Sequence, residues 1–201
     1  MNVEAYILIG GRSSRFGSDK ALAEIGGKTL AERARDILRQ SIPDHPISFV
    51  GDPEQFGAEA VRIDVPIISD RIAGRGPLGG LHTALENAKS EWIFLLACDL
   101  PMMTSEFLSR LSEECSDDLD AVVPEQPDGR MQPLCAFYRV PAALRIVNEI
   151  IATKPDAAMM AVIDGLKTKV VASDDEDIWT NLNTVEKLAE IARKLSDSEP
   201  I

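Results

Sequence analysis

The sequence has few of the residues that build metal clusters, disulfide frameworks or hydrolytic triads. Its 201 residues include two histidines, His45 and His82, and three cysteines without a Cys-x-x-Cys pair, Cys98, Cys115 and Cys135. A zinc site and a disulfide framework are therefore not indicated, and the two histidines offer few candidates for the base of a Ser-His-Asp hydrolase. We interpret His82 as a structural residue on a helix. Any metal is expected to be a hard cation bound by carboxylates.

Long apolar runs and an excess of basic charge are also absent. No stretch of eighteen apolar residues exists, which predicts no membrane span, and Glu4 stands where a secretory signal would carry basic residues. We therefore expect a cytoplasmic protein. The net charge of −12 argues against a nucleic-acid partner. Residues 1–35 nevertheless hold six basic and four acidic side chains, which favours a small polyanion as ligand.

Apolar runs alternate with helical patterns along the chain. Strands are predicted at 3–9, 47–50, 61–68, 92–97, 121–124, 134–138 and 169–171. Helices are predicted from a capping box at 29–32, over 79–88 and 104–115, from residue 141, near 156–163 and around 185–195. Pro66 makes the third strand an edge or irregular strand. This order predicts one α/β domain over 1–201, a Rossmann-like three-layer sandwich whose mainly parallel sheet has helices on both faces.

The segment from Gly10 to Lys20 combines adjacent glycines with cations directly after the first predicted strand. Gly10 and Gly11 let backbone N–H groups approach a phosphate or a base. Arg15 adds positive charge as a planar guanidinium group, and Lys20 adds it as a compact ammonium group. Ligands of open parallel sheets bind beyond the carboxyl ends of the strands. This segment is therefore a candidate phosphate-binding loop.

Two other glycine motifs are weaker candidates. Residues 26–29 are similar to the end of a Walker A loop, but Leu22 stands where that motif requires glycine. Residues 74–79 match the dinucleotide pattern Gly-x-Gly-x-x-Gly, with Asp99 twenty residues further on. That match does not follow its strand directly, and Pro77 removes one amide that could face a pyrophosphate. A nicotinamide-dependent oxidoreductase is an alternative that rests on this motif alone.

Asp99 follows the most apolar of the predicted strands, at the sheet edge where the Gly10–Lys20 segment is also expected. A carboxylate on such a rigid element is well suited to hold Mg²⁺ on a nucleotide. The alternative role, a helix cap before Pro101, is less favoured because Thr104 is better placed to cap the next helix. The sequence therefore predicts Asp99 as a magnesium ligand.

Five motifs follow one another through nearly the whole chain. They are Leu-x-Gly-Gly-x-Ser-x-Arg-x-Gly-x-Asp-Lys at 8–20, Gly-Pro-Leu-Gly-Gly at 76–80, Cys-Asp-x-Pro at 98–101, Gln-Pro-Leu-Cys-Ala-Phe-Tyr at 132–138 and Asn-Leu-Asn-Thr at 181–184. In this order they resemble the molybdenum cofactor guanylyltransferases, the MobA family of nucleotidyltransferases. The resemblance implies an enzyme that joins GMP from GTP to molybdopterin with Mg²⁺ and releases pyrophosphate.

The resemblance also implies the residues of the site. Arg15, Lys20 and Asp99 would be catalytic, with Asp99 on the metal. The nucleotide would be bound by Leu8, Ile9, Gly10, Gly11, Lys20, Asp70, Gly79 and Asp99, and the pterin half by Gln132, Pro133, Asn181 and Asn183. One departure lies at 50–52, which reads Val-Gly-Asp where the family commonly has an Asn that touches the nucleotide. Molybdenum-insertion proteins and molybdoenzymes are the protein partners that the resemblance implies.

Other functions stay open on the sequence alone. The cytidylyl relatives, which attach CMP to the same pterin, usually carry Ala-Gly where this chain has Gly10-Gly11. The glycine pair leaves room for a purine, so GTP is favoured. A sugar-1-phosphate nucleotidyltransferase and a non-catalytic nucleotide-binding protein are further alternatives. The presence of Arg15, Lys20 and Asp99 together argues against a non-catalytic protein.

Overall fold

A seven-stranded sheet organises the part of the chain that the structure describes. The structure, a computed structural model, describes residues 2–9, 20–56, 64–72, 74–154, 156–182 and 185–198. The strands are β1 Val3–Leu8, β2 Glu24–Ile25, β3 Lys28–Thr29, β4 Ile47–Gly51, β5 Ile67–Ser69, β6 Trp92–Ala97, β7 Ala121–Glu125, β8 Cys135–Arg139 and β9 Thr168–Ala172. The helices are α1 Leu30–Ser41, α2 Pro53–Phe56, α3 Gly76–Asn87, α4 Ser105–Glu113, α5 Val140–Thr153, α6 Met160–Asp164 and α7 Val185–Ser198, with 3₁₀ turns at Lys20–Leu22 and Asp177–Trp179.

The sheet is mainly parallel, as predicted. Its strand order is β5-β4-β1-β6-β8-β7-β9, while β2 and β3 form a separate hairpin. Strand β8 is antiparallel to both of its neighbours, and the remaining pairs of the sheet are parallel. Because β8 runs opposite to the other six strands, its first residue, Cys135, lies beside Leu96 near the end of β6. The residues that precede β8 therefore reach the edge where the parallel strands end.

Helices cover both faces of the sheet. Ala5 and Ile7 of β1 join one core cluster with α1, α4 and α7, whereas Tyr6 and Leu8 join a second cluster with α3, α5 and α6. A strand that is buried on both faces is apolar at successive positions, which explains the unbroken apolar run of β6. This arrangement confirms the α/β three-layer sandwich. None of the described helices is both long and apolar enough to cross a lipid bilayer.

Helix α1 begins at the predicted capping box. The Glu32 N–H donates to Thr29 Oγ1 at 3.1 Å, and the Thr29 N–H donates to the Glu32 carboxylate at 2.8 Å. These bonds satisfy backbone donors at the helix start. Arg33, one residue further along α1, donates from Nε and from a terminal nitrogen to the carbonyl of Ile25. Helix α1 therefore holds the β2–β3 hairpin, and with it the segment that follows Lys20.

Some boundaries differ from the sequence prediction. Strand β5 begins at Ile67, after Pro66, so residues 64–66 of the predicted strand 61–68 do not belong to it, and residues 61–63 lie outside the described part. It is an edge strand, as Pro66 indicated. The pattern misses the β2–β3 hairpin because two-residue strands give no periodic signal. For α5 the sequence pattern predicts Leu144, Val147, Ile150 and Ile151 on the buried face. Val147 and Ile150 are buried as predicted, whereas Leu144 and Ile151 are only partly buried and Ala143 and Ile146 are buried as well.

Candidate active site

The carboxyl ends of β1, β4, β5 and β6 meet at one edge of the sheet. The Ile9 N–H donates to the Val50 carbonyl at 3.0 Å, and the Cys98 N–H donates to the Leu8 carbonyl at 3.2 Å. These bonds extend the ladders past the ends of the strands and fix Leu8 and Ile9 next to the segment that leads to Asp99. The Ile9 N–H is thereby engaged within the sheet. Four further predicted site residues, Gly10, Gly11, Arg15 and Asn183, lie outside the described part of the chain.

Lys20 and Asp99 form an ion pair at this edge. Lys20 lies on the first 3₁₀ turn and Asp99 is the second residue after β6. Lys20 Nζ is 2.8 Å from Asp99 Oδ2. Their side chains are 15% and 27% exposed, so the pair is half-buried but reachable from solvent. The fold thus brings together two residues that are 79 positions apart and that the sequence predicts for phosphate and metal binding. A cation and an anion at one accessible point suit a magnesium-bound polyphosphate.

A cavity of about 200 Å³ opens beside Asp99. Gln132 and Asn181, both predicted for the pterin half, line it together with Asp99. The rest of the lining is apolar and comes from Ala97, Leu100 and Leu134. The cavity therefore combines a carboxylate, two amides and apolar side chains, a combination that suits a flat polar ring carrying a phosphate.

Backbone hydrogen bonds fix the chain segments that carry the three polar side chains of the cavity. The Leu182 N–H donates to the Asp99 carbonyl at 3.1 Å, which ties the segment of Asn181 to the end of β6. The Gln132 N–H donates to the Pro124 carbonyl at 2.9 Å. The reversed direction of β8 is what delivers Gln132 to this edge. The sequence did not predict the apolar lining residues Ala97, Leu100 and Leu134 as site residues. Ala97 and Leu100 lie on either side of Asp99, and Leu134 is two residues after Gln132.

Asp70 and Gly79 meet at the neighbouring end of β5. The Asp70 side chain is exposed, and its Oδ1 accepts from the Ile72 N–H at 3.0 Å. A Cβ on Gly79 would lie 2.8 Å from the Ile72 carbonyl and 3.1 Å from Asp70 Oδ2. Gly79 is therefore required by the close approach of α3 to this loop. Its predicted contact with a nucleotide stays a prediction.

The Gly-x-Gly-x-x-Gly match at 74–79 has a structural explanation. Gly74 and Gly76 have positive φ values of 80° and 53°, in the region that favours glycine. Gly79 is needed for packing, as described above. The match therefore follows from a turn that leads into α3, and β5 ends at Ser69, well before the first of these glycines. A dinucleotide fingerprint follows its strand immediately, so the nicotinamide alternative loses its support.

Comparison with known proteins identifies the family. The MobA-like NTP transferase domain matches residues 5–176. This chain belongs to the MobA-like NTP transferase family. A relative from Geobacillus sp. (strain WCH70), named "Probable molybdenum cofactor guanylyltransferase", is 32% identical over 194 residues, which are 92% of this chain and 95% of the relative. A relative of the same name from Peptoclostridium acidaminophilum is 31% identical over 209 residues, covering 98% and 91% of the two chains.

The fold of this MobA-like NTP transferase also has solved counterparts. The molybdopterin-guanine dinucleotide biosynthesis protein A from Archaeoglobus fulgidus matches with a TM-score of 0.76 over 96% of this chain and 99% of its own. The two are 22% identical, so this likeness concerns the fold. The chain is thus a nucleotidyltransferase by family, with the Rossmann-like fold that the sequence predicted.

The described part of this MobA-like NTP transferase holds no group of three or more His, Cys, Asp or Glu side chains that could bind a metal ion. Magnesium does not require such a group, because it is commonly bound through one or two carboxylates together with substrate phosphates and water. Among the described residues, the Asp99 carboxylate bonds only to Lys20. Asp99 therefore fits a magnesium ion that arrives with a nucleotide.

Two reactive groups near the cavity are held in their protonated forms. Burial raises the pKa of the Cys135 thiol, at the start of β8, and burial also raises the pKa of the Tyr138 hydroxyl. Neither group is therefore a nucleophile at neutral pH. Tyr138 instead donates a hydrogen bond of 2.7 Å to the Pro133 carbonyl, and the bond is buried. Tyr138 thus supports the loop that carries Gln132 and Leu134.

Replacing Tyr138 by Phe tests this support. Phe has nearly the same shape but leaves the buried Pro133 carbonyl without its donor, which costs about 1–3 kcal/mol. We expect Tyr138→Phe to lower the free energy of unfolding by this amount, measured by urea denaturation. Tyr6→Phe is the matched control, because Tyr6 bonds to Glu4, whose carboxylate keeps the Lys89 N–H as a donor. Equal losses in the two variants would contradict a special role of the Pro133 bond.

Proposed function

We propose that this chain transfers GMP from GTP to the terminal phosphate of molybdopterin and releases pyrophosphate. The observation that carries the proposal is the cavity shared by Asp99, Gln132 and Asn181. One of these residues is predicted for the nucleotide and its metal, and the other two for the pterin. Because they line one cavity, the phosphates of the two substrates can meet there. The names of the relatives support this choice of substrates.

The proposed reaction is an in-line displacement. An oxygen of the molybdopterin phosphate bonds to the α-phosphorus of GTP while the bond to the β-phosphate oxygen breaks, so the electron pair leaves with pyrophosphate. A phosphate monoester is mostly a dianion at neutral pH, because its second pKa is about 6. The reaction therefore needs no general base, and among the described residues the cavity lining contains no histidine.

Charge neutralisation and positioning would supply the catalysis. Lys20 presents its ammonium next to Asp99, where it can bind phosphate oxygens. Arg15 is proposed for the same role from outside the described part. When bound, Mg²⁺ on Asp99 would neutralise negative charge on the triphosphate. The carboxylates and amides of this edge would hold the two substrates next to each other. Asp70, Gly79 and the end of β1 would bind the nucleotide.

The base of the nucleotide is assigned from the sequence and from the relatives, and Gly10 and Gly11 lie outside the described residues. We propose GTP because this glycine pair leaves room for a purine and because the named relatives are guanylyltransferases. CTP is the second candidate, through the cytidylyl relatives. Either nucleotide would use Lys20 and Asp99 for its phosphates and metal.

Thermal unfolding with Mg²⁺ and GTP, CTP, ATP or NAD, each alone, tests the proposed nucleotide. A ligand at a hundred times its Kd stabilises the folded state by about 2.7 kcal/mol. For a chain of this size that corresponds to a rise in Tm of about 5–10 °C. We expect GTP to give this rise and the other compounds to give clearly less. A rise led by CTP would move the assignment to the cytidylyl relative, and a rise with NAD alone would contradict the proposal.

A turnover assay separates an enzyme from a nucleotide-binding protein. With GTP, Mg²⁺ and molybdopterin under anaerobic conditions, release of pyrophosphate should equal formation of the dinucleotide product. Binding of GTP without release would support the non-catalytic alternative. We further propose that residues 1–201 act as one domain in the cytoplasm, where GTP is found. The proposed protein partners are molybdenum-insertion proteins, which would act before this reaction, and molybdoenzymes, which would receive its product.

A further inference from the structure

We infer that Thr83 is a positioning residue that holds Asp70 in the orientation needed to bind the nucleotide. The inference rests on the proposed function, in which Asp70 is a nucleotide ligand. It adds a residue of helix α3 that lies thirteen positions from Asp70 and belongs to none of the sequence motifs. Thr83 acts on the substrate only through Asp70.

The contacts of the Thr83 hydroxyl connect it to the loop after β5. Thr83 Oγ1 donates to Asp70 Oδ1 at 3.2 Å, and it accepts from the Arg71 N–H at 3.2 Å. The direction of the first bond follows from chemistry, because an ionised carboxylate can only accept a hydrogen bond. The Thr83 proton is therefore directed to Asp70, and a lone pair of the hydroxyl receives the backbone N–H.

These contacts leave the two oxygens of Asp70 in different surroundings. Oδ1 accepts both from Thr83 and from the Ile72 N–H, while Oδ2 has no hydrogen-bond partner among the described residues. The Asp70 side chain is exposed. One oxygen is thus held by two protein donors, whereas the other lies beside Gly79 and keeps its lone pairs available to a ligand. A carboxylate held in this way is prepared to accept hydrogen bonds from the donors of a nucleoside, its ribose hydroxyls or base N–H groups.

Helix α3 makes the support rigid. Thr83 has no exposed surface, and Leu81, Ala84 and Leu85 beside it are buried in the core cluster below. Gly79 precedes Thr83 by four residues, so both lie on the same face of α3. Gly79 supplies the space for Asp70, and Thr83 supplies the hydrogen bond. The helix therefore determines both the distance and the orientation of the Asp70 carboxylate.

Two substitutions at Thr83 separate positioning from packing. Thr83→Val keeps the shape of the side chain but removes the hydroxyl, whereas Thr83→Ser keeps the hydroxyl but removes a buried methyl group. We expect Thr83→Val to weaken GTP binding about tenfold, because the Asp70 carboxylate loses the hydrogen bond that orients it before GTP binds. We expect Thr83→Ser to bind within roughly twofold of the unchanged protein although its Tm also falls, because of the cavity that it creates.

A double-mutant cycle with Asp70 tests whether Thr83 acts through that residue. The Kd of GTP in the presence of Mg²⁺ is measured by titration calorimetry for Asp70→Ala, Thr83→Val and the double variant. Since Thr83 acts only by orienting Asp70, Thr83→Val should have no further effect once Asp70→Ala has removed the carboxylate. In steady state, Thr83→Val should raise the KM for GTP and leave kcat nearly unchanged.

Any other result contradicts either the role of Thr83 or the proposed function. Unchanged GTP affinity in Thr83→Val, or additive effects in the double variant, would overturn the role of Thr83. An affinity that follows Tm through both Thr83 variants would show that the residue only stabilises the fold. If the unchanged protein binds CTP in place of GTP, the guanine assignment fails and the same cycle with CTP decides the role of Thr83. If it binds no nucleotide, the proposed function and the role of Thr83 both fail.

Discussion

Replacing Asp99 by Asn should reduce turnover at least about a hundredfold, because loss of one charge-stabilising contact in an enclosed site typically costs about 3–4 kcal/mol. Asn keeps the size of the side chain but removes the negative charge that would hold Mg²⁺. The rate is measured as pyrophosphate release at saturating GTP and Mg²⁺ with molybdopterin present. The carbonyl of Asp99, which accepts from the Leu182 N–H, is unaffected by this change, so the fold should be retained.

The control for Asp99 is Asp118→Asn. Asp118 is an exposed residue that pairs with Lys167, and it lies outside the cavity. We expect this variant to keep full activity. Near-unchanged turnover in Asp99→Asn would remove the assignment of the metal to this residue. A loss of activity that is matched by a fall in Tm would instead indicate a folding defect, and circular dichroism of the purified variant distinguishes the two.

Replacing Lys20 by Met should also lower turnover at least about a hundredfold. Met keeps the length of the stem and removes the ammonium that faces Asp99 at 2.8 Å. The lost cation would no longer neutralise charge on the phosphates, so kcat should fall more than the affinity for GTP. Lys28→Met is the matched control, because Lys28 lies on the neighbouring hairpin and pairs with Asp36 away from the cavity.

Lys20 and Asp99 should not act independently. Because the two side chains form one ion pair and face the same phosphates, the double variant should lose less than the product of the two single losses. Independent, multiplicative effects would contradict a shared role at the reaction centre. Lys20→Arg should recover only part of the activity, since a planar fork replaces a compact point charge.

The sequence predicts the sheet and its helices well because most of the elements are long and strongly patterned. The apolar run of β6 and the capping box of α1 coincide with the observed elements. Short elements, such as the β2–β3 hairpin, carry no period and are missed. On α5 the predicted buried residues Val147 and Ile150 are buried, but Ala143 and Ile146 complete that face where Leu144 and Ile151 were predicted.

The sequence predicts those parts of the site that follow from the order and direction of the strands. It does not predict the parts that depend on how closely two elements pack. Since carboxyl ends of parallel strands share an edge, Lys20 and Asp99 could be expected to be neighbours, and they form an ion pair. The Thr83 bond to Asp70 depends on how closely α3 approaches the loop after β5, a distance that no local pattern encodes. The roles of Leu100 and Leu134 in the cavity lining likewise follow from packing.

The reversed strand β8 divides the chemistry of this edge between two sources. The ends of β1, β5 and β6 come from the parallel half of the sheet, whereas Gln132 and Leu134 enter only because β8 runs against it. Under the proposed function, the nucleotide is recognised by the ends of β1, β5 and β6, whereas the acceptor is recognised by two later segments, the one before β8 and the one around Asn181. A transferase with a new acceptor could then be engineered by exchanging these two segments, while the nucleotide half is kept.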